Sequence, residues 1–193
     1  MARSYYSVML YHPVDEVWAV IRPFDHYAWA GVESETIIEH GKAGDQVGAV
    51  RRVSYGGNVI RQVLLAHSDI ERSYTYAFCG APPFPVRDYV ATIRVTPIVA
   101  DGASFVEWWA TFDCAAEERD KWVRHFEQEG FAKWLGALRH FLSDGGHWTE
   151  PRFQKAKTGP RGPTNRVHFN TAPFKFLLAK SLTPKIAKSK RAG

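Results

Sequence analysis

From residue 33 to residue 113 the chain runs in short stretches where apolar and polar side chains alternate, the spacing of strands with one buried face. The stretches span 33–40, 47–55, 58–66, 72–80, 87–99 and 104–113, and a β-rich stretch at 3–11, "RSYYSVMLY", precedes them. Gly56-Gly57-Asn58 and Asp101-Gly102 are tight hairpin signals. The loop "GAPPFPV" at 80–86 carries three prolines, which keep it out of any ladder. No interval between these six stretches can hold a crossover helix, so the pattern predicts an antiparallel meander.

Two other parts of the chain carry a helical period. In "HPVDEVWAVIRP", Val14, Val17, Trp18 and Ile21 share one face, Pro13 suits the first turn, Asp15 and Glu16 sit at the positive end of the dipole, and Pro23 stops the helix. "FDHYAWAG" at 24–31 reads as a second short helix or turn ended by Gly31. From Glu117 to Ser143, Val123, Phe126, Phe131, Trp134, Leu135, Leu138 and Phe141 recur at helical spacing, and Gly145-Gly146 follows as the stop. The expected architecture is α+β: a curved seven-stranded antiparallel sheet wrapped around a long C-terminal helix, with two short helices between strands 1 and 2.

Alternation assigns faces. On "VEWWATF", Val106, Trp108, Ala110 and Phe112 point inward, leaving Glu107, Trp109 and Thr111 outside. Tyr89, Ala91, Ile93 and Val95 form one inward set. Ile60, Gln62 and Leu64 form another, as do Tyr74, Tyr76 and Phe78. Arg51, Val53 and Tyr55 share a face, with Arg51 near the strand start and within reach of solvent. The helix aims Phe126, Gly130, Trp134 and Leu138 at the sheet. Mid-helix Gly130 costs roughly 1 kcal/mol against alanine, and leaves room for a ligand or a tyrosine. The ligand-facing set is thus Tyr55, Gln62, Leu64, Tyr76, Phe78, Tyr89, Ala91, Ile93, Trp108, Ala110, Phe126, Gly130 and Trp134. Such an aromatic surface with a few polar tips suits a small hydrophobic or aromatic molecule carrying one or two oxygens; rings that simply fill a core are the alternative. Trp109 is read as covered by Arg94 or Arg61 through cation–π stacking, or as a contact for another chain, a second copy included.

In order and spacing, "HPVDEVWAVIRPFDHYAWA", "GDQVGAVRRV", "GGNVIRQVLLAHSDIERSYTY", "PVRDYVATIRVTP", "SFVEWWATFD" and "FAKWLGALRHFL" resemble the START-like helix-grip superfamily (SRPBCC) and, within it, the polyketide cyclase/dehydrase and lipid-transport group. The resemblance implies a cavity between sheet and long helix, holding a ligand such as a lipid or polyketide. In similar proteins the fourth strand often carries an inward glutamate; here that place holds Gln62, which weakens transfer of acid–base chemistry and keeps hydrogen bonding. A cyclase or dehydratase of this kind would shape a reactive chain and polarise a carbonyl, with Arg51, Gln62 and Tyr89 as the catalytic candidates.

Charge and chemistry add limits. The formal net charge of +5 conceals a split: residues 144–193 hold 11 Lys and Arg against 2 Asp and Glu, whereas residues 1–143 carry a net −4. This predicts a domain at 1–143 followed by a basic, flexible tail at 144–193. Within that tail, "FKFLLAKSLTPKIAKSKR" at 174–191 interleaves apolar and basic residues, a pattern that fits an anionic membrane surface better than nucleic acid, and fits a plain solvated tail as well. Two cysteines, Cys79 and Cys114, make neither a disulfide framework nor a zinc site, and no metal or other cofactor is expected. Without a long apolar leader core or spanning segment, a cytoplasmic setting is expected. His26 beside Asp25 reads as a surface pair, and His125 with Glu129 as ordinary helix pairing. Three functions follow: a ligand-binding or transport domain, an aromatase/cyclase or dehydratase using the same cavity, or a protein-interaction module with a filled core.

Overall fold

The computed structural model describes residues 1–30, 35–55 and 58–146. Its strands are β1 (Ala2–Leu10), β2 (Glu35–Glu39), β3 (Val50–Tyr55), β4 (Asn58–Ser68), β5 (Ser73–Phe78), β6 (Arg87–Ile98) and β7 (Ala103–Asp113). They form one antiparallel sheet in the order β1-β7-β6-β5-β4-β3-β2, the predicted meander with its first strand added beside the last. Helix α1 (Val14–Ile21) follows β1. The C-terminal helix runs without a break through α2 (Arg119–Arg124), a π-helical segment (His125–Ala132) and α3 (Lys133–Ser143). Among the described residues, no helix is long and apolar enough to cross a membrane.

Register follows the alternation. Trp108 lies opposite Ile93 on β6 and Tyr6 on β1, with Ala110 opposite Ala91 and Ser4. Val106, Trp108, Ala110 and Phe112 are all 0% exposed, so one tryptophan of the pair is wholly inside. Trp109 is half-buried on the opposite face, where the Arg94 guanidinium lies 5.7 Å from its ring centroid and also pairs with Glu107. The same arginine therefore covers the ring and neutralises its cross-strand neighbour.

One expectation is corrected and one gains detail. Among the described residues between β1 and β2 there is one α-helix; residues 24–30 supply only a single 3-10 turn, Ala28–Ala30. Pro23 ends α1, and the aromatic residues that follow bury their rings against the sheet in place of completing a second helix: Phe24, Tyr27 and Trp29 are 0%, 6% and 1% exposed. The long helix, in turn, is not uniform. Its buried stripe runs Trp122, Phe126, Phe131, Leu135, Leu138 and Leu142. The step from Phe126 to Phe131 is five residues, which in an α-helix would leave Phe131 roughly 140° away from Phe126. Widening to i→i+5 hydrogen bonds makes five residues close to one turn and returns Phe131 to the sheet.

Salt bridges line the outside. Trp18 of α1 and Arg22, which caps its end, both donate to Asp69, at 3.0 and 2.8 Å, tying the helix to the β4–β5 turn. Arg61 grips Glu39 across β3, and Arg72 grips Asp15. At the sheet edge the Tyr5 N–H donates to Glu127 Oε1 on the long helix, 3.1 Å away.

Candidate ligand-binding site

Arg51, the second residue of β3, is fully buried. Its position in the strand suggests reach to solvent; the segment Phe24–Ala30 closes over it and removes that route. Its Nε donates to Oε1 of Gln62, its cross-strand partner on β4, at 2.8 Å, and its Nη1 donates to the Phe24 carbonyl oxygen at 3.0 Å. The rings of Phe24, Tyr27 and Tyr76 surround the guanidinium carbon, with centroids 4.0, 4.7 and 5.4 Å away. Among the described residues, Nη2 has no partner in hydrogen-bond geometry; the Tyr74 hydroxyl approaches the guanidinium outside it.

None of these contacts is acidic. Burial pushes the Tyr27, Tyr74 and Tyr76 hydroxyls above the ordinary phenol range, the nearby guanidinium only partly offsetting it, so all three stay protonated at neutral pH. Arginine keeps its proton in proteins. The site therefore holds a cation balanced by an amide, a carbonyl dipole and ring faces. Cation–π contacts contribute about 0.5–2 kcal/mol each, whereas taking an ion out of water costs several kcal/mol. The balance is incomplete, and Nη2 is where it is incomplete.

Around this charge the grip is aromatic. Trp108 packs on Phe131, Trp134 and Trp29 at 5.0, 5.3 and 6.1 Å between centroids. Tyr27 meets Trp134 edge-on at 5.7 Å. The space between sheet and helix is thus occupied by rings in this conformation. Yet Trp29 Nε1 is buried without a partner, and Trp108 Nε1 approaches the Tyr76 hydroxyl outside hydrogen-bond geometry. Ser4 Oγ is likewise unpartnered.

The predicted residues divide into two groups about Tyr76. Arg51 and Gln62 meet on one side. Tyr89 lies on the other, stacked on Phe78 at 4.0 Å and packed on Phe126 at 4.9 Å, with its hydroxyl pushed far up by burial. The three catalytic candidates are consequently not one constellation. Leu64, Ala91, Ile93 and Ala110 are wholly buried and form the floor. Gly130 is buried beside Trp134, not a tyrosine; an added Cβ would sit 3.7 Å from that indole, an ordinary contact. The Tyr55 side chain and residues 147–193, with the basic segment 174–191, lie outside the described residues.

Phe24, Tyr27, Trp29, Tyr74 and Phe131 belong to the site and were not in the sequence-derived set. The signal for three of them is the aromatic clustering in "FDHYAW". His26 lies partly buried, and its pKa is lowered by that burial. His125 does not act as a simple helix pair: its ring packs on Phe84, Trp122 and Phe126, while Glu129 pairs with Lys133. A separate open groove of about 510 Å³ runs between β1 and the end of α3, lined by Tyr6–His12, Arg139 and Ser143, and shares no residue with this site. Among the described residues, no cluster of three or more His, Cys, Asp or Glu side chains could hold a metal ion.

A seven-stranded antiparallel sheet gripping a long helix, with an aromatic interior, defines a START-like helix-grip (SRPBCC) protein. Residues 1–145 match the family described as polyketide cyclase / dehydrase and lipid transport, and the chain belongs to it. Its fold is shared with the protein XoxI from Bacillus cereus, at 28% identity and a TM-score of 0.65, covering 76% of this chain and 100% of that one. A solution structure from Thermobifida fusca matches at 26% identity and a TM-score of 0.66, covering 78% and 100%. The di-domain ARO/CYC BexL from the BE-7585A biosynthetic pathway shares the fold at 15% identity and a TM-score of 0.60, over 74% of this chain and 47% of that one. No curated protein matches the chain.

Proposed function

We propose that this protein binds a small, largely apolar molecule with oxygen acceptors between the sheet and the long helix, as a carrier or receptor. One observation carries the reading: among the described residues, the aromatic interior contains donors without an acceptor in hydrogen-bond geometry, Arg51 Nη2, Trp29 Nε1 and Trp108 Nε1. Native cores satisfy nearly all buried polar groups, because each unsatisfied one costs about 1–3 kcal/mol. All three nitrogens being donors only, the partner they lack is an acceptor. A ligand oxygen supplies it, and the ligand's apolar body takes the place of rings that repack. The segment Phe24–Ala30, which covers Arg51 with the rings of Phe24 and Tyr27 and with one carbonyl, is the part that must yield for entry.

The surroundings of Arg51 favour binding over turnover. Its partners are an amide, a carbonyl and protonated phenols, none of which removes a proton near neutral pH. An aromatase or cyclase would have Arg51 to polarise a carbonyl but lacks a base beside it. Native mass spectrometry of the purified chain, with denaturing extraction, tests the proposal. The expected result is a stoichiometric small molecule, or, for an empty preparation, saturable uptake of 1-anilinonaphthalene-type probes with quenching of tryptophan emission. No extracted molecule together with no probe uptake would leave a filled core and overturn it.

A further inference from the structure

We infer that the ligand is an organic acid whose carboxylate seats on Arg51. This rests on the binding site proposed above and adds its charge. A neutral acceptor would satisfy the Nη2 donor but leave the buried cation uncompensated; a carboxylate does both, because hydrogen bonds between ionised partners are shorter and stronger than neutral ones. The guanidinium is already fixed for the task. Gln62 holds Nε and the Phe24 carbonyl holds Nη1, so rotation is blocked, and among the described residues Nη2 has no acceptor in hydrogen-bond geometry. The Tyr74 hydroxyl lies beside the guanidinium and is protonated, which makes it a second donor to the same carboxylate. Phe24 and Tyr27 stack on the cation and Tyr76 borders it, forming apolar walls for the carbon that bears the acid. At Gln62 the chain itself forgoes internal neutralisation: a glutamate of the same length would place a carboxylate against Nε, whereas the amide leaves the charge open to a ligand.

The test compares acid and amide probes of equal shape on the full 193-residue chain: 2-naphthoate against 2-naphthamide, and dodecanoate against dodecanamide, by isothermal titration at pH 7. The expected result is at least a tenfold preference for the acid in one pair. Arg51→Gln removes the preference. Because that variant can fail to fold, Gln62→Glu is measured beside it; it supplies an internal counter-charge, so it melts at or above the parent temperature and also loses the preference. Equal binding of acid and amide by the parent overturns the acid inference while the binding site stands. Failure of all four probes to bind overturns the site and the inference together. An acid preference that survives in folded Gln62→Glu places the seat elsewhere and overturns the role of Arg51.

Discussion

The π-helical segment makes a prediction that separates architecture from length. Phe126 and Phe131 are five residues apart, and both face the sheet, 4.9 Å from Tyr89 and 5.0 Å from Trp108 between centroids. Deleting exposed Gln128 shortens that step to four, so a plain α-helix would keep Phe126, Phe131, Leu135, Leu138 and Leu142 on one stripe. Deleting exposed Lys133 leaves the five-residue step in place and turns everything after it by about 100°. Leu135, Leu138 and Leu142, at 0%, 0% and 3% exposed, would then leave the core. At the low end of measured losses for buried leucine, about 2 kcal/mol each, this removes about 6 kcal/mol. That is comparable to the whole stability of an ordinary domain. The exposed Glu129–Lys133 pair adds less than about 1 kcal/mol.

The Gln128 deletion is therefore expected to fold, losing no more than about 2 kcal/mol, and the Lys133 deletion to be largely unfolded. Urea unfolding followed by tryptophan emission reads both. Equal destabilisation by the two deletions would refute the account of the π segment as one inserted residue. The folded Gln128 deletion should also bind apolar probes more weakly, since Phe126 and Phe131 shift along the wall of the site.

Gly130→Ala should raise stability by up to about 1 kcal/mol, because the added methyl meets the Trp134 ring at ordinary distance; a lower melting temperature would contradict this packing. Arg94→Ala should cost about 1 kcal/mol or less yet increase acrylamide quenching of tryptophan emission, because Trp109 loses its cover while Trp108 stays buried. Asp69 has its pKa lowered first by its hydrogen bond from Arg22 and further by Trp18. A depressed carboxylate pKa stabilises the fold above the unfolded value of about 4 and loses that contribution as pH falls through the folded one. Asp69→Asn should thus lower stability at pH 7 by about 1 kcal/mol or less, given its exposure, and flatten the acid limb of a pH–stability curve; an unchanged limb would exclude the linkage.

Alternation located most of the fold because a strand face has a rigid period of two. Trp108 and Trp109 are the same residue type, yet Val106, Ala110 and Phe112 on one side, with Glu107 on the other, decide which is inside. The π segment was visible as the gap between Phe126 and Phe131, although a window tuned to 3.6 residues averages across it. Alternation places Arg51 on the right face but gives no sign of its burial. Its cover comes largely from Phe24 and Tyr27, in a segment with no period to read. A site built by irregular chain packing onto a regular sheet is half legible for that reason: the sheet's contribution can be counted out, and the cover's cannot.

The placement of arginines argues that the inner one is there for a ligand. Arg22, Arg61, Arg72 and Arg94 each grip a carboxylate on the exterior, where such pairs contribute little and cost little. Arg51 is the reverse case: deeply buried, hydrogen-bonded at two nitrogens, and without an acidic partner among the described residues. If it served stability alone, a methionine or leucine of similar volume in the same ring cage would avoid the desolvation cost, as replacing buried ions with apolar residues is often neutral or stabilising. Arg51→Met is therefore expected to melt at or above the parent temperature while losing carboxylate binding. A large fall in melting temperature would instead make Arg51, Gln62 and the Phe24 carbonyl a structural brace that holds the Phe24–Ala30 segment on the sheet.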